Sequence, residues 1–422
     1  MSVPDVTRAP SVAILVDDLA TWIVTGHQPT GIQRVVSELL DTAAARTDID
    51  GWPAVSLGGG PDAEVRLVEV DRDSLRWEAP TAGLRLRRRY LQAIRRAVRR
   101  TPLPPPLRRS ARLAYLRLAF AVGGIRASTK TGGRRADLLL VPGGFWSGDS
   151  AARIGRLAAR GTKVRVIVYD LFPVRNPEWC DPHLCRDFAA ALAVVVSVAD
   201  RVVTLSDEVA RQLIADHPML AGKVRAAVPT LGAHAPRRSI GPDPRPLPTL
   251  VDPFVLAVGT VEPRKNYRVI LDAWRIARQD PEMARASLVV VGRHGWMADD
   301  IEAEIARDAT RLGIVRLAHT TDDELEALYN GCHATVHASW AEGFGLPVRE
   351  SIARGIPTLM SSTIPWDGLP DDSYETFDPT DARRLAFLVA DVLAAERVRA
   401  PATPRPGDAT GWEPVLAALI DD

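Results

Sequence analysis

The sequence predicts an α/β protein of two domains, each a parallel β-sheet wound with helices. Its 422 residues suffice for two domains of ordinary size. Short apolar, β-branched runs alternate with helically spaced ones through both halves. Between the halves, Gly241 to Leu250 (GPDPRPLPTL) carries four prolines in ten residues, a stiff polar connector. The expected division is therefore 1–240, a linker at 241–250, and 251–400, with 401–422 a tail or helix packing back on the N-terminal domain.

Val12 to Val16, short and β-branched, reads as a buried first strand. Thr30-Gly31-Ile32-Gln33-Arg34 and the helical spacing of VVSELLDTAA follow. Gly31 is either a plain turn or a place where backbone approaches a ligand at the cleft. Asp137 to Pro142 and Val164 to Tyr169 are further buried strands. They end in Gly143-Gly144-Phe145-Trp146 and Asp170-Leu171-Phe172-Pro173, where an α/β sheet places its ligands. Arg201 to Leu205 is another strand, Ser206 caps a helix through Leu213, and Val228-Pro229-Thr230 closes the first sheet. In the second half Phe254 to Val258, Leu288 to Val291 and Ala334 to His337 read as strands. Helices are expected around Ile270 to Ala277, Ile301 to Leu312 and Leu325 to Tyr329.

Net charge is +1 overall but uneven: residues 79–136 hold sixteen Lys and Arg and no acid, leaving about −15 elsewhere. Two explanations stand for 84–126: basic amphipathic helices on anionic lipid or a lipid diphosphate, or a solvated insertion. Few aromatics accompany the arginines, which argues against nucleic acid. No apolar run is long enough to span a bilayer, and Asp17 and Asp18 break the N-terminal patch, so it reads as a strand and not a secretion signal. Three cysteines are too few for a disulfide framework and fit the cytoplasm, with peripheral attachment to the inner face of the plasma membrane if 84–126 binds lipid. Cys180, His183 and Cys185 lack a second ligand pair, so zinc is not expected.

The chemistry concentrates in His337 to Arg354, HASWAEGFGLPVRESIAR. Pro347 suits a first helical position, so the amides of Gly345 and Leu346 would open a helix N-terminus that attracts anions. Glu342 stands at the lip and Glu350 about a turn into the helix, both able to accept hydrogen bonds from hydroxyls. Anion-binding amides between two hydroxyl acceptors suit a nucleotide sugar. Arg264 and Lys265, in a loop that follows a strand, would neutralise its diphosphate.

The spacing Glu342-x7-Glu350 with EGFGLP between resembles the retaining GT-B glycosyltransferases of family 4. VGTVEPRKN (Val258 to Asn266), VVVGRHGW (Val289 to Trp296) and DDELEALYNG (Asp322 to Gly331) extend the resemblance over most of the C-terminal half. TGIQRV resembles bacterial mannosyltransferases of surface-polysaccharide assembly. The resemblance implies a GT-B fold of two Rossmann-like domains and transfer of a hexose, mannose favoured, from a GDP- or UDP-linked donor with retention. The implied acceptor is a saccharide or polyprenyl-diphosphate-linked glycan. Glu350 would hold the ribose and Glu342 the hexose, with Gly31, Gly259, Thr260, Arg264, Lys265, Gly343, Phe344, Gly345 and Leu346 completing the donor site. Gln33, Arg34, Tyr169 and Asp170 would serve the acceptor. Many members have His-Asp where this chain has Tyr169-Asp170; tyrosine is no base at neutral pH, leaving Asp170 to orient or deprotonate the acceptor or merely to cap a turn. No metal or cofactor is expected, since Arg264, Lys265 and the helix amides would carry the leaving-group charge. A nucleotide-sugar epimerase or hydrolase, or a non-catalytic binding subunit, are the alternatives.

Overall fold

The computed structural model describes residues 9–25, 31–57, 65–75, 125, 135–147, 149–230, 250, 252–370, 372–395 and 411–421. All of the basic stretch 84–126 except Ile125, and the linker residues 241–249, lie outside these, as do 26–30, 396–400 and 401–410. Among the described residues no helix is long and apolar enough to cross a membrane.

The first sheet runs in the order β3-β2-β1-β4-β5-β6-β7. Its strands are β1 (Ser11–Leu15), β2 (Asp50–Leu57), β3 (Arg66–Glu69), β4 (Leu138–Val141), β5 (Lys163–Ile167), β6 (Arg201–Thr204) and β7 (Val224–Ala226). All pairs are parallel except β2 with β3. β1 and β4 are buried along their whole length, as strands covered on both faces must be. Helices α1 (Asp17–Thr25) and α2 (Gly31–Ala45) cover one face. The other is covered by α3 (Ser150–Ala158), and, beyond the short α4 (Phe172–Arg175), by α5 (Pro182–Val198) and α6 (Asp207–Asp216).

The second sheet, β10-β9-β8-β11-β12-β13, is parallel throughout. It comprises β8 (Phe254–Val258), β9 (Ser287–Val291), β10 (Ile314–Leu317), β11 (Ala334–His337), β12 (Thr358–Ser361) and β13 (Tyr374–Phe377). α7 (Tyr267–Ala277), α8 (Asp299–Leu312) and α11 (Ala382–Ala394) pack on one face, α9 (Asp322–Gly331) and α10 (Leu346–Ala353) on the other. Thr321 and Glu324 form a reciprocal capping box that starts α9. The strand order reverses between β8 and β11, the place where an α/β sheet opens a ligand crevice at the carboxyl ends of its strands.

In the first sheet, two details differ from the sequence reading. The first sheet ends at Val224–Ala226 and not at Val228-Pro229-Thr230, where Pro229 has no N–H for a ladder. β2 and β3 had no sequence forecast: Gly51 and Pro53 interrupt the apolar run, yet Pro53 needs only its carbonyl, which accepts from Val70 N at 3.1 Å.

The chain then returns to the first domain. Helix α12 (Glu413–Ile420) buries Trp412, Val415, Leu416 and Leu419 in the same core as β1 and α2. Its last carbonyls are capped from the sheet: Arg165 Nη1 donates to Leu419 O at 2.8 Å and Ile420 O at 2.6 Å. Leu416 is 0% exposed, so Leu416→Ala should cost about 2–5 kcal/mol. An unchanged midpoint of urea unfolding would show that α12 does not contribute to the core.

Candidate functional site

Because β8 and β11 pair directly, the loops that leave them are forced together. The first bends through a 3₁₀ turn at Pro263–Lys265, and Asn266 takes a left-handed conformation (φ 50°) with Nδ2 donating to Pro379 O at 2.8 Å. Trp340 N donates to Arg264 O at 2.9 Å, tying the second loop to the first. The second then enters α10 through Gly345, left-handed at φ 74°, a conformation glycine adopts freely. The helix begins at Leu346, placing Pro347 second and not first.

Glu342 is the hub. Its carboxylate accepts from Arg264 Nη1 at 2.7 Å, Lys265 Nζ at 2.6 Å and Ser339 Oγ at 2.6 Å. The three charged side chains are only 10–15% exposed, so solvent screens them little. Burial alone would raise the Glu342 carboxyl, but Arg264 and Lys265 outweigh it and hold it down at about 2. Arg264 also donates to Glu262 Oε1 at 2.7 Å and lies 4.8 Å over the ring of Phe172, from the other domain. His337, on β11 beneath the pair, is held neutral by burial and Lys265, its pKa down at about 3.

The domains meet at EGFGL. Phe344 is buried in the core of the first domain, and Leu346 packs against the same cluster. Ser206 Oγ donates to Gly343 O at 2.7 Å. Around this joint is a cavity of about 420 Å³, within the usual ~300–1,000 Å³ of small-molecule sites. It is lined by Gly31 and Arg34 from the first domain, Gly259, Thr260, Arg264 and Lys265 from the β8 loop, and Glu342 to Pro347 with Glu350. Every residue assigned to the donor thus borders one space.

The acceptor assignments separate. Asp170 borders the cavity; burial pushes its carboxyl up to about 6, against the pull of Arg264 and the Phe172 amide, which approaches Oδ1 at 3.4 Å. Tyr169 also borders it, but its hydroxyl donates to Pro142 O at 2.5 Å, because β4 and β5 are neighbours and bring these residues side by side. Gln33 does not line the cavity: it is buried on the inner side of α2 with Nε2 donating to Asp18 at 2.5 Å. Arg34 borders the cavity and pairs across the cleft with Asp322 at the start of α9. His319 also lines the cavity, whereas His294 faces Asp299 and Glu302. Sequence left Ser339 out, and read Phe172 only as part of a strand-end segment, Ser206 only as a helix cap and Tyr329 only as the end of a helix. Only Ser339, three residues before Glu342, had a signal to find it by.

Tyr329, buried behind the lining residue Glu350, donates its hydroxyl to Glu350 Oε2 at 2.9 Å. Arg354 stacks over the Tyr329 ring at 4.7 Å. Among the described residues no three His, Cys, Asp or Glu side chains form a metal cluster.

Residues 186–390 match the family described as Family 4 Glycosyltransferase in conflict systems. O-antigen chain mannosyltransferase B of Escherichia coli is 32% identical over 153 residues, 36% of this chain and 40% of that protein. D-inositol 3-phosphate glycosyltransferase of Streptosporangium roseum is 32% identical over 248 residues, 54% of this chain and 55% of that one. The chain therefore spans about half or less of these curated relatives. The crystal structure of WaaG, a glycosyltransferase involved in lipopolysaccharide biosynthesis, superposes with a TM-score of 0.55 at 14% identity, covering 97% of this chain and 100% of that one. Residues 186–390, just under half of the chain, match a family 4 glycosyltransferase model, and the chain as a whole has the two-domain GT-B fold.

Proposed function

We propose that the protein transfers a hexose from a nucleoside diphosphate sugar to a hydroxyl of a glycan or lipid-linked saccharide, with retention. One observation carries this reading: Arg264 and Lys265 converge within 2.7 Å of Glu342 where the β8 and β11 loops meet, beside the α10 N-terminus. Two buried cations and helix amides form an anion site, and Glu342 and Glu350 supply hydroxyl acceptors beside it.

Glu342 is ion-paired with both cations, and Glu262 with Arg264. An incoming diphosphate competes for them, freeing Glu342 to accept from the hexose. The C1–O bond to phosphate then breaks as the acceptor oxygen bonds C1 from the same face, and the departing phosphate oxygen takes the acceptor proton. Arg264, Lys265 and the Leu346 amide stabilise the charge that develops on the leaving group. Asp170 orients the acceptor. If Asp170, in place of the phosphate oxygen, takes the acceptor proton, kcat/KM should rise with pH through about 6 and Asp170→Asn should abolish that limb. A flat profile in both proteins would leave Asp170 only its contact with the Phe172 amide.

The name of the Escherichia coli relative supports mannose, and GDP-mannose is the first donor to test. The name of the Streptosporangium relative points to a different acceptor, so acceptor panels must include inositol phosphate. Incubation with nucleotide sugars should release nucleoside diphosphate faster when acceptor is present. Acceptor-independent release would indicate hydrolysis, and binding without turnover a non-catalytic subunit. Retention is read from the anomeric configuration of the product by NMR. The reading invokes no metal or cofactor, so EDTA should leave the rate unchanged.

We place the reaction in the cytoplasm, which suits three free cysteines, and at an anionic membrane surface through 84–126. Association with liposomes should require anionic lipid and fade with salt. Equal recovery with neutral vesicles would remove the membrane from this account.

A further inference from the structure

The ring of Tyr329, on α9, is 1% exposed in the buried cluster of Leu256, Val289, Leu328 and Ile356. Its hydroxyl leaves that cluster for α10, donating to Glu350 Oε2 at 2.9 Å. Arg354, which ends α10, lies 4.7 Å over the same ring. The arginine is itself tied down, donating to the Glu350 carbonyl at 2.7 Å and to Glu326 Oε2 at 2.7 Å. The core thus fixes the ring from one side, and the end of the helix that carries Glu350 fixes it from the other.

We propose that Tyr329 is a positioning residue for recognition of the donor's ribose: its hydroxyl holds the Glu350 carboxylate in a fixed rotation, ready for the two ribose hydroxyls. This rests on the reading of Glu350 as the ribose acceptor.

The terminal torsion of a glutamate is broad, so a carboxylate facing open space turns readily unless a donor holds one of its oxygens. Glu350 borders the cavity and Tyr329 does not, so the tyrosine holds the carboxylate without occupying ligand space. An ionised carboxylate has roughly four acceptor sites, and one hydroxyl donor leaves enough for a diol. Two neighbouring hydroxyls must find both acceptors at once. They gain most from a plane set before they arrive, because that ordering is then not charged to binding.

The rival is a tyrosine that only fills the core, with Glu350 present merely to satisfy a buried hydroxyl. Tyr329→Phe separates the two, since it keeps the ring and removes the donor. A packing role predicts that any loss falls alike on every nucleotide. The positioning role predicts a loss confined to the share of affinity that the ribose hydroxyls supply.

Calorimetric titration with GDP, UDP and their 2′-deoxy forms reads that share directly in wild type, Tyr329→Phe, Glu350→Gln and the double variant, with thermal melts confirming each fold. Wild type should prefer the ribose form of whichever nucleotide it binds by ~10-fold or more, as expected for a hydroxyl bonded to a charged group. Tyr329→Phe should shrink that preference to about 3-fold or less while binding the deoxy form as wild type does. In the Glu350→Gln background the same change should add nothing, because the tyrosine acts through the carboxylate. An undiminished preference in Tyr329→Phe, or equal losses for ribose and deoxyribose forms, would overturn the inference and leave the tyrosine to the core. A wild type that binds nucleotide without preferring ribose overturns the reading of Glu350, and one that binds neither nucleotide overturns the functional reading; the inference falls with either.

Discussion

Lys265→Ala is expected to lower kcat/KM by ~100-fold or more while leaving the fold unchanged, the loss usual for one preorganised group facing a developing anion. That corresponds to about 2.7 kcal/mol of transition-state stabilisation. Lys265 and its partner Glu342 are 14% and 10% exposed, so water cannot replace the ammonium well. The turn does not need the lysine: Asn266 is anchored to Pro379 O at 2.8 Å and the Tyr267 hydroxyl to Gly259 O at 2.8 Å. Lys265→Arg should rescue only partly, because the lysine stem packs on Gly259, 3.4 Å from where a Cβ would stand, and a planar fork needs more room. Steady-state kinetics with thermal melts decide the matter. A near-wild-type rate in Lys265→Ala would detach the β8 loop from catalysis.

Gly343→Ala should be nearly as damaging for a different reason. A Cβ there would lie 2.0 Å from the Tyr169 carbonyl oxygen and 2.9 Å from its carbon, both backbone atoms that cannot swing aside. Ser206 holds the Gly343 carbonyl from the other side at 2.7 Å. The added methyl must therefore push the Tyr169–Asp170 loop and the EGFGL loop apart, and a displacement of about 1 Å between reacting groups costs ~100-fold. Gly155→Ala, on α3 and outside the cavity lining, is the control: its Cβ would meet only a side-chain methyl, Val194 Cγ1 at 3.3 Å, which can give by a few tenths of an ångström. Comparable rates for the two variants would mean that the loops tolerate separation.

What the sequence made legible divides along physical lines. Strands buried on both faces, such as Val255 to Ala257 and Leu288 to Val290, declare themselves because nothing polar can stand in them. The donor loops were legible because glycine, proline and paired charges fall at the ends of adjacent strands, so that strand order alone fixes their meeting. β2 was illegible, since Pro53 in a strand is acceptable only where the partner asks for a carbonyl. Gln33 and Arg34 show the limit at the site. They are consecutive on α2, so helical rotation sends one into the core at Asp18 and the other across the cleft to Asp322. Which goes where depends on the roll of the helix against the sheet. The Tyr169 hydroxyl likewise found its partner, Pro142, through strand adjacency that single-strand patterns do not reveal.

Helix α12 carries a consequence for biogenesis. It belongs to the first domain yet is joined to it by the whole of the second, with Thr230 N meeting Gly411 O at 2.8 Å where the outgoing and returning chain pass. During vectorial synthesis the second domain emerges as a unit that can close on itself. The first must wait on the ribosome with the apolar flank of β1 and α2 uncovered until Trp412 and Leu416 arrive. The domain made earliest is thus the one finished last, and a chaperone that shields that flank is the assistance this topology calls for.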